Sequence, residues 1–338
     1  MYKYKQVVVG VAAICLLSGL VTESSAQRPN THFVPYSSIT FGGGTSTYFG
    51  DLAGYGKPIR ALFTLPRWNV GLGYTRQFTP HFAARATFTW ARITGDDYKF
   101  NKNDINNGLV QYARNLHFRN DLKEFAITGI YNFVADGRNS DVRAKFTPYI
   151  FGGLALLAHS PEARTPVADG TGSDVYAGQQ WVKLQPLHTE GQGQPGRDKP
   201  YSLVTLAIPV GFGVRYMINE SFNVGAEIGF RYTFTDYLDD VGSGTYPDPA
   251  TLQGVASVMS DRRQKEQFAA RYLKNPPDRY TVLVNLFQTG TPDEKAAVTD
   301  ALNTPNRGGR GLLNDGYLLT NFSIHYIIPS KIKCPPIK

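Results

Sequence analysis

Apolar and polar residues alternate with a period of two over much of this chain, in blocks separated by turn residues, and that period predicts β-strands. The clearest block runs from Phe222 to Tyr232. Phe222, Val224, Ala226, Ile228, Phe230 and Tyr232 share one face, while Asn223, Gly225, Glu227, Gly229 and Arg231 share the other. Seven further blocks lie at about 37–48, 68–78, 82–93, 122–133, 147–157, 203–217 and 319–328. In the second, Trp68, Val70, Leu72 and Tyr74 fall together; in the third, Phe82, Ala84, Ala86, Phe88 and Trp90. The fourth groups Phe125, Ile127 and Tyr131, the sixth groups Val204 to Tyr216 at even positions, and the eighth groups Phe322, Ile324 and Tyr326. The fifth alternates poorly, so its facing stays open.

A soluble sandwich points such an apolar face at a core, whereas a membrane barrel points it at lipid and fills its lumen with the polar face. The connections decide between them. Short links at Thr79-Pro80, at 134–145 and at Asn219-Glu220 alternate with long excursions at about 49–67, 94–121, 158–202 and 235–318. Short turns at one end and long loops at the other are the topology of an outer-membrane barrel. The predicted fold is all-β: a transmembrane antiparallel β-barrel of eight strands, integral to a bacterial outer membrane, with long extracellular loops and short periplasmic turns. An even strand count returns both termini to the periplasmic side. Tyr48, Tyr74, Phe78, Trp90, Phe133, Tyr216, Tyr232 and Phe234 fall near strand ends, where interfacial aromatic girdles belong.

The last loop is long enough for structure of its own. Thr291-Pro292-Asp293-Glu294 reads as a capping box with proline at the first helical position, so a helix is expected from there to about Asn303. Another is expected over about 260–273. The stretch 280–287 reads either as a ninth strand or as a loop element, and parity with a periplasmic C-terminus favours the loop element.

The N-terminus is an address. Lys3 and Lys5 precede an apolar core from Val7 to Leu20, and Ser24-Ser25-Ala26 offers a cleavage site, so residues 1–26 are expected to be a secretory signal peptide and 27–338 the barrel. Ile14 stands before Cys15 where lipid attachment wants a small residue. Loss of Cys15 with the signal leaves Cys334 alone, which excludes an internal disulfide. The net charge of +8 comes from scattered residues without a basic helix or RNA-binding motif. It argues for anionic lipid headgroups of the outer membrane as partner rather than nucleic acid.

The polar strand faces gather Arg85, Glu124, Arg215, Glu227, Arg231 and His325 in the predicted lumen. An eight-strand barrel is only wide enough for side chains to fill it, and buried charges must be paired, so an ion-pair network closing the lumen is expected. Beyond the outward-going strands stand Asp51, Asp96, Asp97, Asp236, Asp239 and Asp240. Their oxygens are of the kind a divalent cation takes, but their spacing matches no Ca²⁺ loop, and solvated carboxylates or contacts to a rim arginine are the simpler expectation. No nucleophile elbow or zinc-type histidine pair occurs, and His188 in the third loop has no assignable partner, so neither an enzyme, a metal site nor a cofactor is expected.

Particular strings carry a resemblance. They are Tyr48-Phe49-Gly50-Asp51-Leu52, Gly95-Asp96-Asp97, Arg114-Asn115-Leu116-His117-Phe118 with Glu124, Leu184-Gln185-Pro186-Leu187 with Glu190-Gly191-Gln192-Gly193, and Tyr232 to Val241. In this order the chain resembles the PorG-like family of outer-membrane barrels, associated with the type IX secretion system of Bacteroidetes-type bacteria. The resemblance implies a non-enzymatic part in protein transport, associated with a periplasmic lipoprotein ring. The docking surface would then face the periplasm, where the turn 134–145 carries Asp136, Arg138, Asp141, Arg143 and Lys145. The alternative is a free-standing surface barrel for adhesion or membrane integrity, in which the long loops do the work.

Overall fold

The computed structural model describes residues 33–329 apart from 103, 167–178, 243, 264–278 and 309–312. The expected signal peptide, Cys15, Cys334 and the C-terminal tail fall outside the described residues.

All eight expected strands form, and they close on themselves. They are β1 (Tyr36–Phe49), β2 (Arg67–Gln77), β3 (Phe82–Asp96), β4 (His117–Asn132), β5 (Phe146–Ala158), β8 (Val204–Met217), β9 (Phe222–Thr233) and β10 (Gly316–Ile328). The hydrogen-bonded order is β3-β2-β1-β10-β9-β8-β5-β4, and a β3–β4 pairing completes the ring. Every pair is antiparallel. Closure removes the free edges that an open sheet of this size would present.

The tight turns have a shared mechanism. Phe78 and Thr79 both donate their N–H to the Phe82 carbonyl, and Ile218 and Asn219 do the same to the Phe222 carbonyl. In each turn a short polar side chain, Thr79 Oγ1 or Asn219 Oδ1, accepts the N–H of the phenylalanine that starts the next strand. The longer turn at 134–145 is held by Arg143, whose guanidinium donates to the carbonyls of Ser140, Asn219 and Glu220.

The outward face is apolar. Phe41, Phe322, Leu154 and Phe212 are more than half exposed, at 61%, 74%, 63% and 60%. Such side chains ring the barrel on every strand, a belt that a soluble monomer does not carry. No helix among the described residues is long and apolar enough to cross a membrane. The fifth strand now has a facing: Phe146, Ile150, Leu154 and Leu156 point out, while Tyr149, Phe151, Ala155 and Leu157 are buried within. Its alternation is weak because its inward residues are large and apolar too.

Tyr74, Phe78, Trp90, Phe133, Tyr216 and Phe234 lie exposed near strand ends as expected, and Tyr232 is partly so. Tyr48 departs from that expectation: it is fully buried inside the barrel mouth.

The long-loop end is folded. The second loop is shorter than expected, because β3 runs on to Asp96 and β4 begins at His117, and it carries helices Asp97–Asn101 and Leu109–Arg114. The third adds two short strands, β6 (Pro161–Arg164) and β7 (Trp181–Lys183), which extend the sheet from the upper end of β4. The fourth loop carries a helix Val255–Ser260 that the sequence did not announce; of the helix expected over 260–273, residues 261–263 are not helical and 264–273 lie outside the described residues. The ambiguous stretch 280–287 is helical, within Arg279–Thr289. The helix Pro292–Asn303 starts with both halves of the capping box between Thr291 and Glu294.

Candidate functional site

The inward residues make successive cross-lumen struts. Arg85 on β3 donates to Glu227 on β9, four strands away around the ring, and Tyr149 on β5 donates to the same Glu227 oxygen at 2.8 Å. The Arg85 guanidinium also lies over the Phe151 ring, 5.0 Å from its centroid. Nearer the long-loop end, Arg231 on β9 pairs with Glu124 on β4 at 3.4 Å, and Tyr317 on β10 donates to the same carboxylate oxygen at 2.5 Å. Toward the short turns, Arg215 donates to Asn132 and stands over Tyr149, while His325 contacts Thr40 and Ser323. The six expected lumen residues therefore all point inward, but they do not form one ion-pair network. Two ion pairs are stacked with tyrosines, and Arg215 and His325 bond neutral neighbours. The sequence reading missed Tyr149 and Tyr317, which complete the two struts; the parity of Tyr317 with the eighth block was a signal that could have found it, whereas the poor alternation of the fifth strand hid Tyr149.

Above the struts the lumen passes without a break into the cap. One apolar core runs from Ala91, Ile93, Leu122, Leu157 and Leu319 in the upper barrel to Leu52, Leu116, Leu184, Leu238 and Met259 in the loops. Three arginines lock it. Arg114 makes a fork to both oxygens of Asp97 at 2.8 and 2.9 Å and donates to the carbonyls of Asp51 and Arg307. Arg307 donates to Glu190, to the carbonyls of Asp240 and Ser260, and to the Asp240 carboxylate. Arg262 donates to the Arg164 carbonyl. Burial of Arg114 and Arg307 is tolerable because the fork geometry of guanidinium meets several acceptors at once.

The rim acids are the acceptors of this cap. Asp97 holds Arg114 and the Leu116 N–H; Asp96 caps the helix Asp97–Asn101 through the Lys99 N–H; Asp240 accepts from Thr189, Tyr201 and Arg307. Asp239 and Asp315 flank Tyr48, whose hydroxyl lies 2.6 Å from one and 2.8 Å from the other. One hydroxyl has one proton to donate, so the second contact requires a protonated carboxyl. Burial pushes both acids well above the ordinary carboxylate range; the charge of Asp315 adds to it at Asp239, that of Asp236 at Asp315, and that of Asp51 at both. Among the described residues no group of three or more histidine, cysteine, aspartate or glutamate side chains is arranged to hold a metal ion. His188 sits in the left-handed conformation at the end of a 3-10 turn, Gln185–Leu187.

Burial moves Asp240 up to about 6 despite Arg307, and Asp236 up to about 7, with Asp51 and Glu190 adding to the latter. An aspartate in the unfolded cap ionises near 3.9. Between those values these two acids hold more protons in the folded cap than in the unfolded one, so their contribution to cap stability falls as pH rises from about 4 to about 7, and Asp239 and Asp315, raised further, extend the fall. Asp240 alone contributes about 3 kcal/mol to this fall, as an order of magnitude. Hydrogen exchange at 234–241, corrected for intrinsic rates, should show stronger protection at pH 5 than at pH 8; equal protection at both would mean the acids are not strained by burial.

At the short-turn end, two of the five residues expected to face a partner are structural. Asp136 is buried and accepts from Tyr36, and Arg143 is buried in the carbonyl cage described above. Arg138, Asp141 and Lys145 are exposed, beside Val134 and Val142.

No curated protein matches the chain in sequence. Among solved structures, Neisserial surface protein A, NspA, aligns over 86% of this chain and 96% of its own at 9% identity, with a TM-score of 0.34. The outer membrane protein OprG of Pseudomonas aeruginosa aligns over 88% and 97% at 8% identity, with a TM-score of 0.29. Ail, the attachment invasion locus protein of Yersinia pestis, aligns over 59% and 88% at 12% identity, with a TM-score of 0.29, in its complex with the heparin analogue sucrose octasulfate. In sequence, the profile of a domain of unknown function, DUF6089, matches residues 37–170 and 171–256. That match takes in the barrel from β1 through β9 and the first part of the cap, and the chain belongs to the DUF6089 family.

Proposed function

We propose that this chain is an integral, non-conducting barrel of a bacterial outer membrane that works by binding partners at its ends rather than by catalysis. One observation carries the reading: an encircling apolar belt surrounds a lumen filled by cross-barrel struts and sealed by a cap whose core is continuous with the lumen. The belt matches a hydrocarbon layer, and a hydrogen-bonded ring of strands is one of the two ways a backbone can satisfy itself there. The long-loop end then faces outward and the short turns face the periplasm.

The finer role is membership of the type IX secretion machinery, with a periplasmic lipoprotein ring as partner. Its support is the sequence resemblance, whose most specific string, Tyr232 to Val241, builds the acid ledge under the cap. Further support comes from the 134–145 turn, where exposed Val134 and Val142 stand among Arg138, Asp141 and Lys145 on a frame held by Asp136 and Arg143. An apolar centre with a mixed-charge rim on a rigid base suits a protein interface. The folded cap favours the second reading, a free-standing surface barrel whose outer face meets the environment.

The test is co-purification of the tagged protein from detergent-solubilised native outer membrane, with cross-linkers placed at Arg138 and Asp141. Recovery of a lipoprotein-containing periplasmic assembly from the turn supports the secretion role. Recovery of the barrel alone, with other envelope complexes intact, removes it and leaves the surface reading.

A further inference from the structure

The outer wall of the barrel is charged on one side only. Outward positions on β5, β8, β9, β10 and β1 carry no Asp, Glu, Lys or Arg along their whole length. On β3 and β4 the pattern changes above Trp90. Outward Trp90 pairs with Lys123, Arg92 with Asp121, Thr94 with Arg119 and Asp96 with His117. The short strands continue these rows: Arg119 pairs with Glu162, Glu162 with Lys183, and Arg164 with Trp181.

All three tryptophans of the chain border this patch. Trp68 and Trp90 meet edge to face at its lower margin, with the Arg92 guanidinium 5.6 Å from the Trp68 ring centroid. Trp181 lies at the top, with Arg119 3.9 Å and Arg164 5.4 Å from its centroid. Between these margins a cleft of about 210 Å³ is lined by Arg67, Lys99, His117, Arg164 and Trp181, with one carboxylate, Asp96, on its wall. Asp121 and Glu162 pair with Arg92 and Arg119, and Asp96 stands in the cleft against Arg67, Lys99 and Arg164, so cations remain in excess there, with Lys123 and Lys183 adding to it on the flanking face. The Arg164 Nε is buried without a hydrogen-bond partner among the described residues.

We propose that this cleft and its flanking face bind the phosphate of an anionic lipid headgroup in the leaflet that surrounds the long-loop end. The inference rests on the membrane-embedded reading. Indoles prefer the headgroup boundary, which places Trp68 and Trp90 at that level. Arg92 lies two residues further along the strand, roughly 7 Å on, where headgroup phosphates replace acyl chains. A soluble anion would have no need of cations placed on the outer wall directly above an apolar belt, whereas a lipid phosphate arrives there with its chains already on the belt.

The experiment uses the full chain folded in detergent, probed by native mass spectrometry with lipid A, phosphatidylglycerol, phosphatidylcholine and inorganic phosphate. Heat-modified gel mobility and protease protection in vesicles report separately whether the barrel folds and inserts. Lipid A and phosphatidylglycerol should be retained over phosphatidylcholine. The triple variant Lys123→Gln/Arg164→Gln/Lys183→Gln should lose that preference, about fivefold per cation and about a hundredfold in all. Arg76→Gln, on the outward face at the opposite end, should keep it. If the triple variant fails to fold, the unmodified chain decides: its lipid retention should weaken steeply from low to high salt. An inserted barrel with equal retention of charged and zwitterionic lipid overturns the inference and leaves the membrane reading standing. Inorganic phosphate, or a soluble sulfated sugar, competing as well as the lipid would also overturn it. Failure to insert overturns both.

Discussion

Replacing Arg307 with alanine is expected to open the cap while leaving the barrel closed. Arg307 is 2% exposed and donates to Glu190 at 3.2 Å, to the Asp240 carbonyl at 2.6 Å and to the Ser260 carbonyl at 3.1 Å. Its loss strands two buried carboxylates and two carbonyls. Breaking a buried pair by removing one partner costs about 3–5 kcal/mol, because the remaining charge cannot reach water. The cost falls where the third loop, the Tyr232 to Val241 string and the fourth loop meet, so these segments should separate together. Hydrogen exchange should rise by two or more orders of magnitude at 185–191 and 238–242, while exchange in the strands and heat-modified mobility stay unchanged. Arg307→Lys keeps the charge but not the fork, and should fall between. Cap protection within about 1 kcal/mol of the parent would show that the apolar core alone holds the loops.

The second large effect belongs to the lumen. Glu227→Leu should destabilise the barrel by about 3–5 kcal/mol, since Arg85 keeps its charge in a closed space and Tyr149 loses its acceptor. The double variant Arg85→Met/Glu227→Met should recover most of that loss, because a packed apolar pair of similar volume removes both desolvation costs. Urea unfolding of the refolded protein in lipid vesicles measures both, and adding the single variants Arg85→Met and Glu227→Met completes a cycle that isolates the pair from its surroundings. A double variant no better than the single would mean that shape, rather than charge, sets the strut. The unmodified barrel should show no large steady conductance in planar bilayers. Glu227→Leu should stay closed too, because the Arg231–Glu124–Tyr317 strut and the cap remain in place.

The two effects differ in how far they could be read from the sequence. Glu227 stood on the polar side of the cleanest alternating block, and Arg85 on the polar side of another, so both were placed in the lumen before any coordinates. Arg307 stood in a glycine- and arginine-containing stretch with no periodicity, and nothing local distinguished it from a solvated loop residue. Glu190 was noted only as part of a family string, and Asp315 not at all. The rim acids were found by position, and the expected contact to a rim arginine forms for Asp97 and Asp240; their particular partners were not legible, because these come from loops up to 191 residues away, as the contact of Tyr48 with Asp239 illustrates. The middle turn was misjudged for a similar reason. Asp136 and Arg143 look no different from Arg138 and Asp141 until the N-terminal end of β1 and the Asn219 turn close over them.

By itself the sequence determined the eight barrel strands, the outward face of those that alternate cleanly, and the alternation of short and long connections. These follow from a period of two and from turn chemistry, which act between residues close together in the chain. Only the tertiary structure decided which lumen charges pair, since Arg85 and Glu227 meet across a ring whose closure register no local pattern encodes. It also decided that the loops fold into a cap sharing the barrel's core, and that the outer wall is cationic on one side. Burial turns an ordinary aspartate or arginine into a paired one, and burial is a property of segments brought together from distant parts of the chain.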